Sequence, residues 1–161
     1  MENYICINGK KAELTEEQLK KLGIELPKAN SFTRVKGGDY YYINRTVKVT
    51  AEDIDDIMAS ALEGGINYWC GKAEVVGEYL GEFASEQISR GGSLILHDIE
   101  NDETDELTLP KFLKGIQMAI QHNYYADYDW CNGNEIDTCQ VDASVADVII
   151  QLALFDDVIY G

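Results

Sequence analysis

Residues 50–70 read TAEDIDDIMASALEGGINYWC and carry the signals that decide how the chain folds. Thr50, with Asp53 three positions later, forms a capping box that predicts the start of a helix. Apolar residues then recur at helical spacing until Gly64-Gly65 ends the pattern. The segment after these glycines contains Trp69 and no charged residue, so we expect Trp69 to lie in the core. The predicted inward positions of the helix are Ile54, Ile57, Met58, Ala61 and Leu62.

The chain beyond this segment predicts a mixture of helices and strands. Periodicity indicates a helix from about Glu74 to Ser89, ended by Gly91-Gly92, and Ser93–His97 is the clearest strand. Two later helices, Leu109–Gln121 and Ala143–Leu154, follow the capping residues Thr108 and Asp142. Val158–Tyr160 is predicted as a final strand. The predicted inward residues of the helix from about Glu74 to Ser89 are Val75, Val76, Tyr79, Leu80, Phe83 and Ile88.

The first 48 residues are predicted to form a small, separate β-rich unit. Asn8-Gly9 is typical of a tight hairpin, and Gly37-Gly38-Asp39 separates two further strand-like runs. Val47–Val49 alternates like another short strand. With residues 51–161 as the main domain, the predicted fold class is α+β, with a small antiparallel sheet packed by three to four helices.

Charge divides the chain at the same place. The net charge is −16 over 161 residues. Residues 1–50 contain nine Lys/Arg and six Asp/Glu, whereas residues 51–161 contain four Lys/Arg and 23 Asp/Glu. Such an acidic domain repels nucleic acid and anionic membranes and attracts cationic surfaces. Because no run of about 20 apolar residues and no signal peptide is present, we expect a soluble, cytoplasmic protein.

Catalytic and metal-binding motifs are weak in this sequence. His97-Asp98 follows the best strand, but one such pair is a poor signal, and we expect no enzyme and no cofactor. Zinc ligands could come only from the widely spaced His122, Cys131 and Cys139, so the four cysteines are expected to be free thiols. A loop around Gly133 resembles a calcium site, although its closing glutamate is missing, and we favour no metal. The oxygen ligands of that alternative would be Asp127, Asp129, Asn132, Asn134 and Asp137.

Two acidic segments are the predicted partner-binding site. Residues 122–140 lack periodicity and combine aromatic residues with carboxylates, which suits a partner rich in Arg or Lys. Residues 100–106 are predicted as an acidic loop or hairpin tip. The site residues of the first segment are Tyr124, Tyr125, Asp127, Tyr128, Asp129 and Trp130, and those of the second are Glu100, Asp102, Glu103 and Asp105.

Three motifs resemble a known family. They are Leu62–Trp69, reading LEGGINYW, the later pattern ADxxxQxALF from Ala146 to Phe155, and the terminal Tyr160-Gly161. On these, residues 51–161 resemble a widespread, uncharacterised family of small acidic proteins encoded by bacteriophages and by integrative elements of Firmicutes. Members usually have Phe-Gly-Glu where this chain has Phe155-Asp156-Asp157. The resemblance implies a mobile-element setting, with the cytoplasm of a host bacterium as the expected location, and it supplies no activity.

A small acidic protein of this kind is expected to act by binding. The favoured function is inhibition of a basic, nucleic-acid-binding host protein such as a defence nuclease, with carboxylates taking the place of phosphates as in DNA-mimicking anti-CRISPR proteins. One alternative is a counter-defence protein that sequesters a small nucleotide signal, which would need basic groups or helix N-termini facing phosphate. Another is a small metal-dependent hydrolase. The sequence leaves the oligomeric state open.

Overall fold

The computed structural model describes residues 46–101, 103–131 and 133–161, together with four short strands nearer the N-terminus. Those strands pair antiparallel, β1 (Tyr4–Ile7) with β2 (Lys10–Glu13) and β3 (Phe32–Arg34) with β4 (Tyr41–Ile43). Both predicted strand pairings are therefore confirmed. The connecting residues Asn8-Gly9 and 37–39 lie outside the described residues, and the division of the chain near residue 48 stays a prediction.

The first helix that the structure describes, α1 (Ala51–Ser60), starts at the predicted capping box. Thr50 Oγ1 accepts a hydrogen bond from Asp53 N at 3.1 Å, and Asp53 Oδ2 accepts one from Thr50 N at 2.7 Å. The helix continues as a π-helical turn over Ala61–Gly65. A Cβ at Gly65 would lie 2.7 Å from the Ala143 carbonyl oxygen, so glycine permits this turn to pack against the start of the last helix.

The sheet has three antiparallel strands in the order β5 (Cys70–Val75), β6 (Ser93–Asp98) and β7 (Thr104–Thr108). Its inner face buries Leu94, Leu96 and Leu107. Two helices, α2 (Leu109–Gln121) and α3 (Ala143–Phe155), complete the domain. The α+β class is thus confirmed, with the helices α1, α2 and α3 around one small sheet in this part of the chain.

Helix α3 is the centre of the core. Residues 145–153 are all buried, and they include the polar Asp147 and Gln151. Helix α2 crosses α3 at Gly115, where an added Cβ would collide with the Ile149 carbonyl oxygen. Trp69 is 2% exposed, which confirms its predicted place in the core. No helix among the described residues is both long and apolar enough to cross a bilayer.

The predicted helix over residues 74–89 is wrong. Strand β5 extends to Val75, and a loop follows until a single 3₁₀ turn at Ala84–Glu86. Gly77 adopts φ +77°, a conformation that ends a helical path and that glycine adopts at little steric cost. Four of the six predicted inward side chains are exposed instead: Val76, Tyr79, Leu80 and Phe83.

Two short predicted strands are also absent from the described residues. Val47–Val49 contributes only a single parallel bridge, between Lys48 and Glu135. Val158–Tyr160 has no strand partner, because the side chain of Gln151 binds the backbone amides of Ile159 and Tyr160. Residues 104–106, which were predicted as part of an acidic loop or hairpin tip, belong instead to strand β7, and β7 pairs with β6 along its whole length.

The close crossing of α2 and α3 predicts a specific sensitivity to one added methyl group. We expect Gly115→Ala to lower the free energy of unfolding by about 1–3 kcal/mol, because backbone atoms of α3 must move to admit the Cβ. Gly64→Ala is the matched control, since a Cβ there meets no atom within 4 Å. Urea unfolding should show a loss for Gly115→Ala alone, and equal stability of the two variants would contradict the packing.

Candidate functional site

A buried carboxylate lies at the centre of the conspicuous sequence motifs. Asp147, on α3, is 8% exposed. Its carboxylate accepts hydrogen bonds from Trp69 Nε1 at 2.7 Å, Tyr68 OH at 2.9 Å and Gln151 Nε2 at 2.9 Å. A buried carboxylate needs such partners, because an unpaired one would lose its hydration without compensation. Asp147 therefore fixes the segment that follows Gly64-Gly65 against α3.

Gln151, one helical turn further along α3, fixes the end of the chain. Its Oε1 accepts hydrogen bonds from the backbone amides of Ile159 and Tyr160, both at 2.8 Å, and its Nε2 also donates to the Tyr160 carbonyl oxygen at 3.1 Å. This side-chain amide thus takes the place of a neighbouring strand. The spacing of four residues puts Gln151 and Asp147 on the same face of the helix.

Aromatic rings complete this network. The Tyr160 ring stacks on Trp69 with centroids 5.0 Å apart and planes 5° apart, and Phe155 meets both rings edge-on. The chain reverses after Phe155 at Asp156, which has φ +60°. Asp156 therefore adopts the left-handed conformation, which aspartate tolerates better than most residues. We call Tyr68, Trp69, Asp147, Gln151 and Tyr160 the α3 network.

The α3 network extends to the sheet through Tyr160. Its hydroxyl donates to Asp98 Oδ2, at the end of β6, and this bond is the main cause that raises the pKa of Tyr160 to about 12. The same bond lowers the pKa of Asp98. Burial, followed by the hydrogen bond to Asp147, raises the pKa of Tyr68 to about 12 as well.

Both predicted binding segments lie within electrostatic range of the α3 network. Tyr125 contributes to the raised pKa of Tyr68, and Glu100 and Asp105 contribute to that of Tyr160. Glu100 and Glu103 are exposed at the β6–β7 turn, whereas Asp105 is half-buried within β7. Asp102 lies outside the described residues.

The predicted aromatic loop is partly as expected. Tyr125 and Tyr128 are 37% and 41% exposed, with ring centroids 5.3 Å apart. Asp127 and Asp129 are exposed beside them. These four residues form a compact surface of two rings and two carboxylates, which we call the Tyr125–Asp129 surface.

Trp130 was predicted as an exposed anchor, and that prediction is wrong. It is 3% exposed, and its Nε1 donates to the Tyr124 carbonyl oxygen at 3.0 Å. Tyr124 is half-buried against the core. The indole therefore serves as the internal support of the loop, since burying its large apolar area stabilises the fold more than exposure would.

The backbone around this support is strained. Asn123, Tyr125 and Asp129 have φ of +59°, +50° and +54°, a conformation that asparagine and aspartate tolerate but that costs energy at Tyr125. Strain of this kind persists only where the surrounding structure imposes it. A cleft of about 200 Å³ lies beneath the loop, lined by residues that include Ala119, Tyr124 and Trp130. The loop thus holds Tyr125 and Tyr128 in a defined arrangement.

The cations after residue 45 are engaged by oxygens of the same chain. Lys72 Nζ lies 2.6 Å from Glu74 Oε2, and Arg90 contacts Asp55 at 3.3 Å and Glu86 at 3.0 Å. Lys48 contacts the Glu135 carboxylate, Lys111 donates to the Glu106 carbonyl oxygen, and Lys114 contacts the Asp156 carboxylate. Few positive groups are consequently available to an anionic ligand on this domain.

The structure brings few other functional groups close to the residues considered as catalytic or metal-binding candidates. His97 Nε2 lies 3.3 Å from Glu74 Oε2 on the outer face of the sheet. No group of three or more His, Cys, Asp or Glu side chains that could hold a metal occurs in the described part of the chain, and Asn132 falls outside it. Cys70, Cys131 and Cys139 form no disulfide, and burial raises the pKa of the Cys70 thiol. The Cys6 side chain is not among the described ones.

Comparison with known proteins identifies no relative: no protein-family model, curated protein or solved structure matches the chain.

The α3 network was missed at the level of individual residues, although its signal is present in the sequence. In ASVADVIIQLALF, Asp147 and Gln151 are polar residues four positions apart within an otherwise apolar run. Such a pair on a buried helix indicates polar groups that bind something inside the fold. Their partners, the segment after Gly64-Gly65 and the chain end, could not be inferred from helical spacing.

The network predicts a large effect of a small change at Asp147. Asp147→Asn should lower the free energy of unfolding by about 1–3 kcal/mol, because an amide cannot accept all three hydrogen bonds and a buried donor loses its partner. Asp157→Asn is the control, since Asp157 is exposed. Thermal unfolding should separate the two variants, and equal midpoints would contradict the role of Asp147.

The Tyr160–Asp98 bond predicts a pH-dependent contribution to stability. Because the pKa of Asp98 is lowered in the folded state, the contribution is present above the carboxyl's unfolded pKa and is lost as the pH falls through the folded one. Because the pKa of Tyr160 is raised to about 12, it is also lost as the pH rises through that value.

Tyr160→Phe should therefore destabilise the protein at pH 7 more than at pH 3, and it should raise the pKa of Asp98 in a carboxyl NMR titration. Equal destabilisation at both pH values, with an unchanged titration of Asp98, would contradict the hydrogen bond.

Proposed function

We propose that this protein is a phage or mobile-element accessory protein that inhibits a basic, nucleic-acid-binding host protein, such as a defence nuclease. Its acidic domain occupies the groove where the target binds DNA or RNA. The target has already arranged Lys and Arg side chains for phosphates, so a rigid set of carboxylates can use the same contacts.

The observation that carries this proposal is the engagement of the domain's cations. The carboxylates outnumber Lys and Arg by 23 to four after residue 50, and those four cations are held by oxygens of the chain itself. An approaching partner therefore meets a strongly negative field. Such a field favours fast association with a basic protein and opposes the binding of nucleic acid. It also weighs against a nucleotide-sequestering pocket.

The Tyr125–Asp129 surface supports specific recognition. Charge alone gives association that salt screens, whereas desolvated aromatic contacts slow dissociation. Tyr125 and Tyr128 are exposed, tilted against each other and flanked by two carboxylates. This arrangement suits Arg, whose guanidinium can pair with a carboxylate and stack on a ring.

The proposal predicts separate effects of charge and of aromatic contact. A partner should be captured from host lysate at 50 mM salt, and the double variant Asp127→Lys/Asp129→Lys should associate with it about tenfold more slowly. Tyr128→Ala should instead speed dissociation, which kinetic binding assays resolve. Glu52→Lys/Glu63→Lys changes the net charge equally at other exposed positions and should affect association less.

Association that is unchanged between about 50 and 500 mM salt would contradict the electrostatic mechanism. A nucleotide bound to the purified protein would contradict the proposed inhibition of a host protein and would favour the function of sequestering a nucleotide signal.

A further inference from the structure

The loop of residues 76–83, between β5 and β6, exposes apolar side chains that the fold does not use. Tyr79 and Phe83 are 62% and 61% exposed, and Val76 and Leu80 are 44% and 48% exposed. Exposed apolar residues are common singly, but four within eight positions concentrate exposed apolar area on one short loop. In soluble proteins, patches of this kind are typical of interaction sites.

The backbone of this loop is held in place by a buried polar side chain. Gln87 is 1% exposed. Its Nε2 donates to the Glu78 carbonyl oxygen at 3.1 Å, and its Oε1 accepts from Leu80 N at 3.0 Å. The buried Gln87 amide thus fixes the backbone in the middle of an exposed loop.

Glu86 fixes the second half of the loop. Its Oε2 accepts hydrogen bonds from the backbone amides of Glu82, at 2.5 Å, and Phe83, at 3.2 Å. These bonds are the main cause that lowers the pKa of Glu86, and Arg90 holds the other carboxylate oxygen at 3.0 Å. Because the backbone is already ordered, little conformational entropy is lost when a partner binds the outward side chains.

The charge of the loop limits what can cover it. Residues 74–89 include Glu74, Glu78, Glu82 and Glu86 and no Lys or Arg, and the following cation, Arg90, is paired with Asp55 and Glu86. A second copy of this chain would bring another net charge of −16. An anionic lipid surface would be repelled for the same reason. A cationic protein surface is the complementary choice.

We propose that the 76–83 loop is a docking surface for a partner-protein segment in which large apolar side chains alternate with Arg or Lys. The apolar side chains pack on Tyr79 and Phe83, and the cations pair with Glu78 and Glu82. This interaction does not require the partner to handle nucleic acid, so it is independent of the function proposed above.

A defined peptide tests this inference on the full chain. The probe is acetyl-Arg-Leu-Arg-Trp-Arg-Leu-Arg-amide, and its control, with the same charge, has serine at the three apolar positions. NMR titration of the ¹⁵N-labelled protein should show saturable shifts at residues 76–83, with the probe binding at least about tenfold more tightly than the serine peptide. Tyr79→Ser/Phe83→Ser should remove that preference and leave the thermal midpoint unchanged.

Leu113→Ser is the matched control, because Leu113 is exposed on α2, away from this loop in sequence. It should preserve the preference for the apolar probe. Equal affinity for the two peptides, or shifts that avoid residues 76–83, would overturn the inference. A dimer in sedimentation that Tyr79→Ser/Phe83→Ser abolishes would also overturn it, by assigning the loop to a second copy of the chain.

Discussion

Asp147 and Gln151 determine how the rest of the domain is arranged. They are buried polar residues on an otherwise apolar helix, and their hydrogen bonds join α3 to the Tyr68-Trp69 segment and to the last residues of the chain. Asp147 binds the Tyr68-Trp69 segment, Gln151 binds the backbone of Ile159 and Tyr160, and Tyr160 in turn reaches Asp98 on the sheet. A buried polar group that loses its partners costs more than an ordinary hydrogen bond contributes, so these contacts specify one arrangement.

This internal network also explains how so acidic a segment as residues 51–161 can fold. The carboxylates repel one another, but at physiological salt such repulsion is screened beyond about 8 Å. The fold is held by short-range apolar packing around α3 and by hydrogen bonds within it. The acids therefore need no internal cationic partners in equal number, and the surface retains a strong negative field toward an approaching protein.

The sequence predicted the elements whose signals are local. The capping box at Thr50, the capping side chain of Asp142 and the apolar periodicities located α1, α2 and α3, although the side chain of Thr108 makes no capping hydrogen bond. Alternation located β6. The helix predicted at residues 74–89 was wrong because the apolar spacing there is compatible with a helix, while Gly77, Gln87 and Glu86 impose a loop. Trp130 was misplaced for a related reason: burial of an aromatic residue in an irregular segment depends on distant contacts that no local pattern records.

The central claim is that a host partner binds either this protein or DNA, but not both at once. The most direct test is a competition experiment with the partner captured from lysate. The partner, its preferred duplex DNA and the 161-residue protein should be mixed at 50 mM salt and analysed by size-exclusion chromatography with light scattering. The account predicts two binary complexes in competition, with displaced DNA increasing as the acidic protein is added. A stable ternary complex with undiminished DNA affinity would contradict it.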